Sequence, residues 1–81
     1  MIIKVLGKGC AKCNLLEKNT IDAVAELGID ATIEHVTDIN KIMEYPILQT
    51  PGLVIDENLV VSGKVATREE VKEYLVKAQG Q

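Results

Sequence analysis

The sequence predicts an α/β domain: a four-stranded mixed sheet flanked by three helices, in the order β-α-β-α-β-β-α. Three observations carry this. Short runs of aliphatic and β-branched residues alternate with stretches of helical periodicity. A long helical stretch separates the first two runs, which demands a parallel, right-handed crossover. Only a polar turn separates the last two runs, which makes that pair antiparallel. The 81 residues have room for one domain, 1–81, and show no linker, internal repeat or low-complexity tract.

Each element has its own signal. Ile2 to Leu6 is apolar, β-branched and bounded by Gly7 and Gly9, as a buried strand should be. From Ala11 the chain turns helical, with Leu16, Ala23, Val24 and Leu27 at helical spacings and Gly28 as the stop. Ala31 to Val36 alternates as a strand. Asp38 caps a short helix with Ile39, Ile42 and Met43 on one side, ended by Tyr45-Pro46. Leu53–Ile55 and Leu59–Val61 flank Asp56-Glu57-Asn58 as a hairpin. Thr67 and Glu70 form a capping box before a last helix that turns Val71, Tyr74 and Leu75 inward, with Val76 nearby, and frays at Gly80.

Composition excludes several classes of function. Hydrophobic residues make up 47% of the chain, yet the aromatics are two Tyr with no Trp or Phe. A sequence-tolerant binder of single-stranded nucleic acid needs aromatic stacking platforms, and a net charge of −3 opposes a phosphate backbone. No apolar run approaches the roughly 18 residues of a membrane span, and Met1-Ile2-Ile3-Lys4 lacks a signal-peptide pattern. The expectation is a cytoplasmic monomer without nucleic-acid or membrane partners.

The two cysteines stand three positions apart, as Cys10-Ala11-Lys12-Cys13. So small a loop is a poor staple: a disulfide across it is worth about 2 kcal/mol, against about 3 for a 15-residue loop. The pair is better placed for chemistry. It follows a strand and opens the first long helix, where unpaired N–H groups and the positive end of the helix dipole favour a thiolate at Cys10. Lys8 and Lys12 add positive charge. Residues 1–18 carry net +3 and the remainder −6, so the cysteines lie in the one basic segment of an acidic chain. This points to a dithiol redox site in which Cys10 attacks a target disulfide and Cys13 resolves the mixed disulfide. The same thiolates also suit Cu(I) or Zn, with His35 as the one third ligand, far along the chain, unless two chains share a site. A redox-switched binding module is the third possibility. Lys8 in place of Met before the first cysteine, and a chain that finishes on a helix, separate it from heavy-metal-associated domains.

Three segments, Gly7-Lys8-Gly9-Cys10-Ala11-Lys12-Cys13, Thr50-Pro51-Gly52-Leu53-Val54 and Val61-Ser62-Gly63-Lys64-Val65-Ala66-Thr67, resemble the thioredoxin-fold superfamily. The likeness is greatest to its small redox-active disulfide proteins of glutaredoxin size, and it covers nearly the whole chain. It implies a thioredoxin-like fold and thiol–disulfide oxidoreductase activity, as a catalyst or a stoichiometric electron carrier. Partners would be a disulfide-containing protein or small molecule and a separate reductase; no cofactor or metal is implied.

The resemblance also implies roles for single residues. Pro51 would be cis and lie across from the cysteines, with Thr50 pairing its backbone with an extended substrate segment; the bland alternative is a trans proline opening an edge strand. Gly63 would leave room for a partner, or serve only as a turn glycine. Tyr45 would wall the site, or merely help stop the second helix. Gly9, Ala11, Lys12 and Lys8 would tune the redox pair. Gly9 stands where thioredoxins have Trp, and Ala11-Lys12 matches neither thioredoxins nor glutaredoxins. No glutathione carboxylate clamp is evident. No convincing equivalent of the acidic group that takes the resolving thiol's proton in thioredoxins is evident; Glu34 and Asp38 qualify by proximity in sequence alone. His35 reads as a ligand or proton relay, or as a polar residue on an outer strand.

Overall fold

A computed structural model describes residues 1–8 and 11–80. Its elements are β1 (Ile2–Leu6), α1 (Ala11–Leu27), β2 (Thr32–Val36), α2 (Ile39–Ile42), β3 (Gly52–Ile55), β4 (Asn58–Ser62) and α3 (Arg68–Gln79). The sheet order is β2-β1-β3-β4. β1 runs parallel to β2, with Val5 opposite His35, and antiparallel to β3, with Leu6 opposite Gly52. β3 and β4 form the antiparallel hairpin. The architecture is the one expected: a mixed four-stranded sheet with three helices.

Strand alternation sorts the core into two layers. Ile3 and Val5 of β1, with Leu53 and Ile55 of β3, pack against Leu16 and Ala23 of α1 and Val71 and Leu75 of α3. Leu6 and Val54 project from the opposite face and meet Ile42 of α2, with Tyr45, Ile47 and Leu59 at the margin. β3 is buried along its whole length because both faces are covered. On α1 the buried residues are Cys13, Leu16, Thr20 and Ala23, one stripe at helical spacing. The Thr20 hydroxyl is fully buried and donates to the Leu16 carbonyl at 2.8 Å, which removes the cost of an unpaired polar group.

The local expectations differ from the structure in three places. The hairpin turn has two residues rather than three: Asp56 and Glu57 take φ of 46° and 71°, and Asn58 already pairs with Ile55. Two residues in the left-handed region match the strands' right-handed twist better than a longer turn. In α2 only Ile42 is buried, while Ile39 and Met43 are 62% and 69% exposed. A helix of one turn presents a single position to the sheet, and it ends at a Met43 cap before Tyr45-Pro46. Val76 is turned to solvent. β3 lies beside β1, an adjacency that no local signal encodes.

The caps are as read. Asp38 accepts from the Asn40 N–H at 2.9 Å. Thr67 and Glu70 exchange both hydrogen bonds of the capping box, at 3.1 and 3.0 Å. Gly28, with φ of 65°, closes α1.

Candidate functional site

Parallel strands deliver their C-terminal ends to the N-termini of the following helices, and the end of β1 is where the candidate residues gather. Cys13 sits in the first turn of α1, fully buried and disulfide-bonded. Cys10 and Gly9 lie outside the described residues, so the attacking-thiol and tuning calls on them do too. Lys8, Ala11 and Lys12 are exposed around the buried Cys13. No acidic side chain occupies the first turn of α1, so the positive end of its dipole is unopposed there by the helix's own residues.

Gly7 brings the other elements to Cys13. Its φ is 152°, and a Cβ built on it would overlap Cys13 Sγ while lying 3.6 Å from Thr50 Cβ. Cys13, Gly7 and Thr50 therefore converge from α1, β1 and the loop before β3. The sequence signal was available, since Gly7 directly follows a strand and precedes the cysteine pair, but it reads there only as a strand boundary. The bare backbone lets the sulfur approach.

The Thr50–Pro51 peptide is cis, with Pro51 buried and Thr50 exposed. The Pro51 carbonyl accepts from the Gly63 N–H at 2.8 Å, which ties the loop after β4 to this segment. Gly63 has φ of 80°, and a Cβ there would stand 3.1 Å from Gln49 Oε1 and 3.2 Å from its Cβ. Both conformation and space thus favour glycine at this position. Ser62 adds two looser contacts, accepting from Leu48 N at 3.4 Å and donating to the Gln49 carbonyl at 3.5 Å. Beside Thr50 runs an open groove lined by Ile39, Met43, Ile47 and Leu48, the last 94% exposed.

Tyr45 is not brought to this cluster. Its hydroxyl donates to Glu57 Oε2 at 3.1 Å and accepts from Lys4 Nζ at 3.0 Å. Glu57 belongs to the β3–β4 turn, and the register places that turn beside Ile2 and Ile3, the sheet end opposite Leu6 and Gly52. Lys4 and Glu57 are themselves paired at 2.8 Å. The hydrogen bond to Glu57, followed by that to Tyr45, holds the Lys4 ammonium above its usual range. The same contacts, Lys4 first, hold the Glu57 carboxyl below the usual range. The hydroxyl of Tyr45 thus faces Lys4 and Glu57, while its ring packs against the cluster of Leu6, Ile42 and Val54.

The two carboxylates weighed for a proton-accepting role differ in their placement. Asp38 caps α2, and Glu34 is exposed on the opposite side of β2 from His35. His35 uses both ring nitrogens, Nε2 at 2.9 Å from the Gly7 carbonyl oxygen and Nδ1 at 3.4 Å from Glu17 Oε2. Among the described residues no group of three or more His, Cys, Asp or Glu side chains is placed to hold a metal ion. No described helix is long and apolar enough to cross a membrane.

Comparison with known proteins is in keeping with this geometry. Residues 1–76 match a family model described as a thioredoxin domain. The chain is 45% identical over 75 residues to a protein named thioredoxin from Methanothermobacter thermautotrophicus, covering 93% of this chain and 97% of that one. It is 47% identical over 75 residues to a protein of the same name from Methanocaldococcus jannaschii, covering 93% and 86% of the two chains.

Proposed function

The chain belongs to the thioredoxin domain family and is a thiol–disulfide oxidoreductase, and on that premise we propose that Cys10 is its attacking thiol and Cys13 its resolving thiol. The Cys10 thiolate attacks one sulfur of a target disulfide; a Cys10–target bond forms and the other target sulfur leaves as a thiolate, which takes up a proton. Cys13 then gives up its proton and attacks the Cys10 sulfur. The Cys10–Cys13 bond forms and the second target thiolate leaves. Two electrons pass from the protein to the target, and a separate reductase restores the dithiol.

One observation carries this assignment. Cys13 is fully buried and disulfide-bonded at the start of α1, while Ala11 and Lys12 before it are exposed. A buried thiol cannot meet a bulky target disulfide but can meet a mixed disulfide formed beside it. The positive end of α1, with Lys8 and Lys12, supplies the field that favours thiolate over thiol at Cys10. Gly9 and Ala11 complete the set that tunes the pair.

The same reading covers the target. Thr50, exposed next to the Gly7–Cys13 contact, offers its backbone to an extended segment of a disulfide-bearing protein. Pro51 anchors that segment, and Gly63 keeps the neighbouring loop bare. A cytoplasmic location and a monomeric state belong to the proposal as well.

Replacing Cys13 with Ser tests it. The variant should trap protein targets as mixed disulfides on Cys10, releasable by dithiothreitol, and Cys10→Ser should trap none. Equal trapping by both variants would overturn the assignment of roles.

A further inference from the structure

Four residues close a ring at the end of β1. Glu17 stands one helical turn beyond Cys13, on the same side of α1. Its Oε2 lies 3.4 Å from His35 Nδ1, on β2. His35 Nε2 lies 2.9 Å from the Gly7 carbonyl oxygen, and Gly7 lies directly against Cys13 Sγ. The Gly7 N–H, in turn, donates to the Val36 carbonyl at 3.0 Å, so β2 grips the Gly7 peptide from both sides. Both ionisable side chains are partly covered, with 22% of His35 and 32% of Glu17 accessible.

We infer that His35, oriented by Glu17, is a positioning residue of the redox centre: it holds the Gly7 carbonyl and, through Gly7, the backbone that lies against the Cys13 sulfur. This rests on the resolving role of Cys13 given above. A carbonyl oxygen only accepts, so Nε2 carries a proton and donates to it. With neutral imidazole, the Nδ1 lone pair then faces the Glu17 carboxylate. Protonation turns that contact into a charge-assisted hydrogen bond and braces the ring in place. Glu17 is the charged group that meets His35 from α1. From the far side Asp38 and Lys41 share a shallow surface cavity with it, and Glu34 flanks it on β2. Lys8 follows Gly7 directly in the chain.

Coupling of this kind is reciprocal: if His35 acts on the cysteines through Gly7, their redox state must act on His35. The chain has one histidine, so its ring protons can be followed by NMR without ambiguity. Their resonances in the wild-type protein should differ between the dithiol and disulfide forms. Identical resonances in the two redox states would overturn the coupling. His35→Gln, which keeps an N–H donor for Gly7 but does not titrate, should hold the glutathione redox equilibrium constant closer to wild type than His35→Ala, which should shift it about 3- to 10-fold. Wild-type constants in both variants would overturn the clamp. Stoichiometric reduction of dithionitrobenzoate by the wild-type dithiol form, measured alongside, separates the two levels: its failure counts against the redox reading itself, whereas its success with an unresponsive His35 counts against this inference alone.

Discussion

A side chain at Gly7 would occupy the place of the Cys13 sulfur. The residue that ends β1 and the cysteine that opens α1 are therefore coupled by an atom that is absent. Gly7→Ala meets both this overlap and an unfavourable φ of 152°. Overpacking and backbone strain each cost roughly 1–3 kcal/mol, so the variant should lose about 2–4 kcal/mol in urea unfolding. Wild-type stability would show that β1 and α1 can separate freely.

The rim charge is testable through its salt dependence. Lys8 and Lys12 are exposed beside Cys13, in an otherwise acidic chain. Lys8→Glu with Lys12→Glu should slow reduction of a disulfide in an acidic peptide by about 10-fold at low salt, and much less near 0.5 M salt. A basic peptide should show the opposite trend. Stopped-flow rates at two ionic strengths check both.

Acid should weaken the junction of α1 with α3. Glu26 of α1 contacts Lys72 at 2.7 Å and Arg68 at 3.1 Å on α3. The Lys72 hydrogen bond leads the causes that hold its carboxyl below the usual range. Glu70 is lowered likewise, chiefly by Lys64 and then by the Thr67 backbone. A carboxyl lowered by folding adds stability that is fully present above its ordinary value, near 4.3, and is lost as pH falls through its lower, folded value. Tm should therefore fall on acidification below about pH 4.5, and Glu26→Gln should flatten part of that fall. An unchanged slope in Glu26→Gln would remove this pair from the account.

The capping box gives a local check on α3. The Thr67 hydroxyl accepts from the Glu70 N–H at 3.1 Å, and its loss leaves a helix-start donor unpaired. Thr67→Ala should cost about 1 kcal/mol, whereas Thr67→Ser should be near neutral. Chemical denaturation reads both, and alkylation of the reduced cysteines should not change.

In the core, Leu75 of α3 is fully buried between the helix and the sheet. Leu75→Ala should cost about 2–5 kcal/mol. In a domain of this size, with about 3–5 kcal/mol in total, that is enough to populate the unfolded state without denaturant. Circular dichroism at 25 °C would show it.

The legible parts of this protein share one property: their cause lies within a few residues. The cap at Asp38, the capping box at Thr67, the glycine stop at Gly28 and the hairpin about Asp56 are set by neighbours in the chain, and each stands close to its expected position. Where a local signal failed, the surroundings decided instead. Ile39 and Met43 have the same apolar character as Ile42, but one turn of helix can put only one of them on the sheet. The hydroxyl contacts of Tyr45 were not legible because nothing near it in sequence announces Lys4 or Glu57, which lie 41 and 12 residues away.

The sequence by itself determined that one α/β domain carries a reactive cysteine pair at a helix start, because spacing and local charge suffice for that. Only the tertiary structure decided what surrounds Cys13. Insertion of β3 beside β1 sets Thr50 next to Gly7, and parallel pairing of β1 with β2 sets His35 over the Gly7 carbonyl, beside Glu17. Such contacts span 18 residues or more of chain, where no periodicity persists, and the burial of whole faces rather than any local preference brings them together.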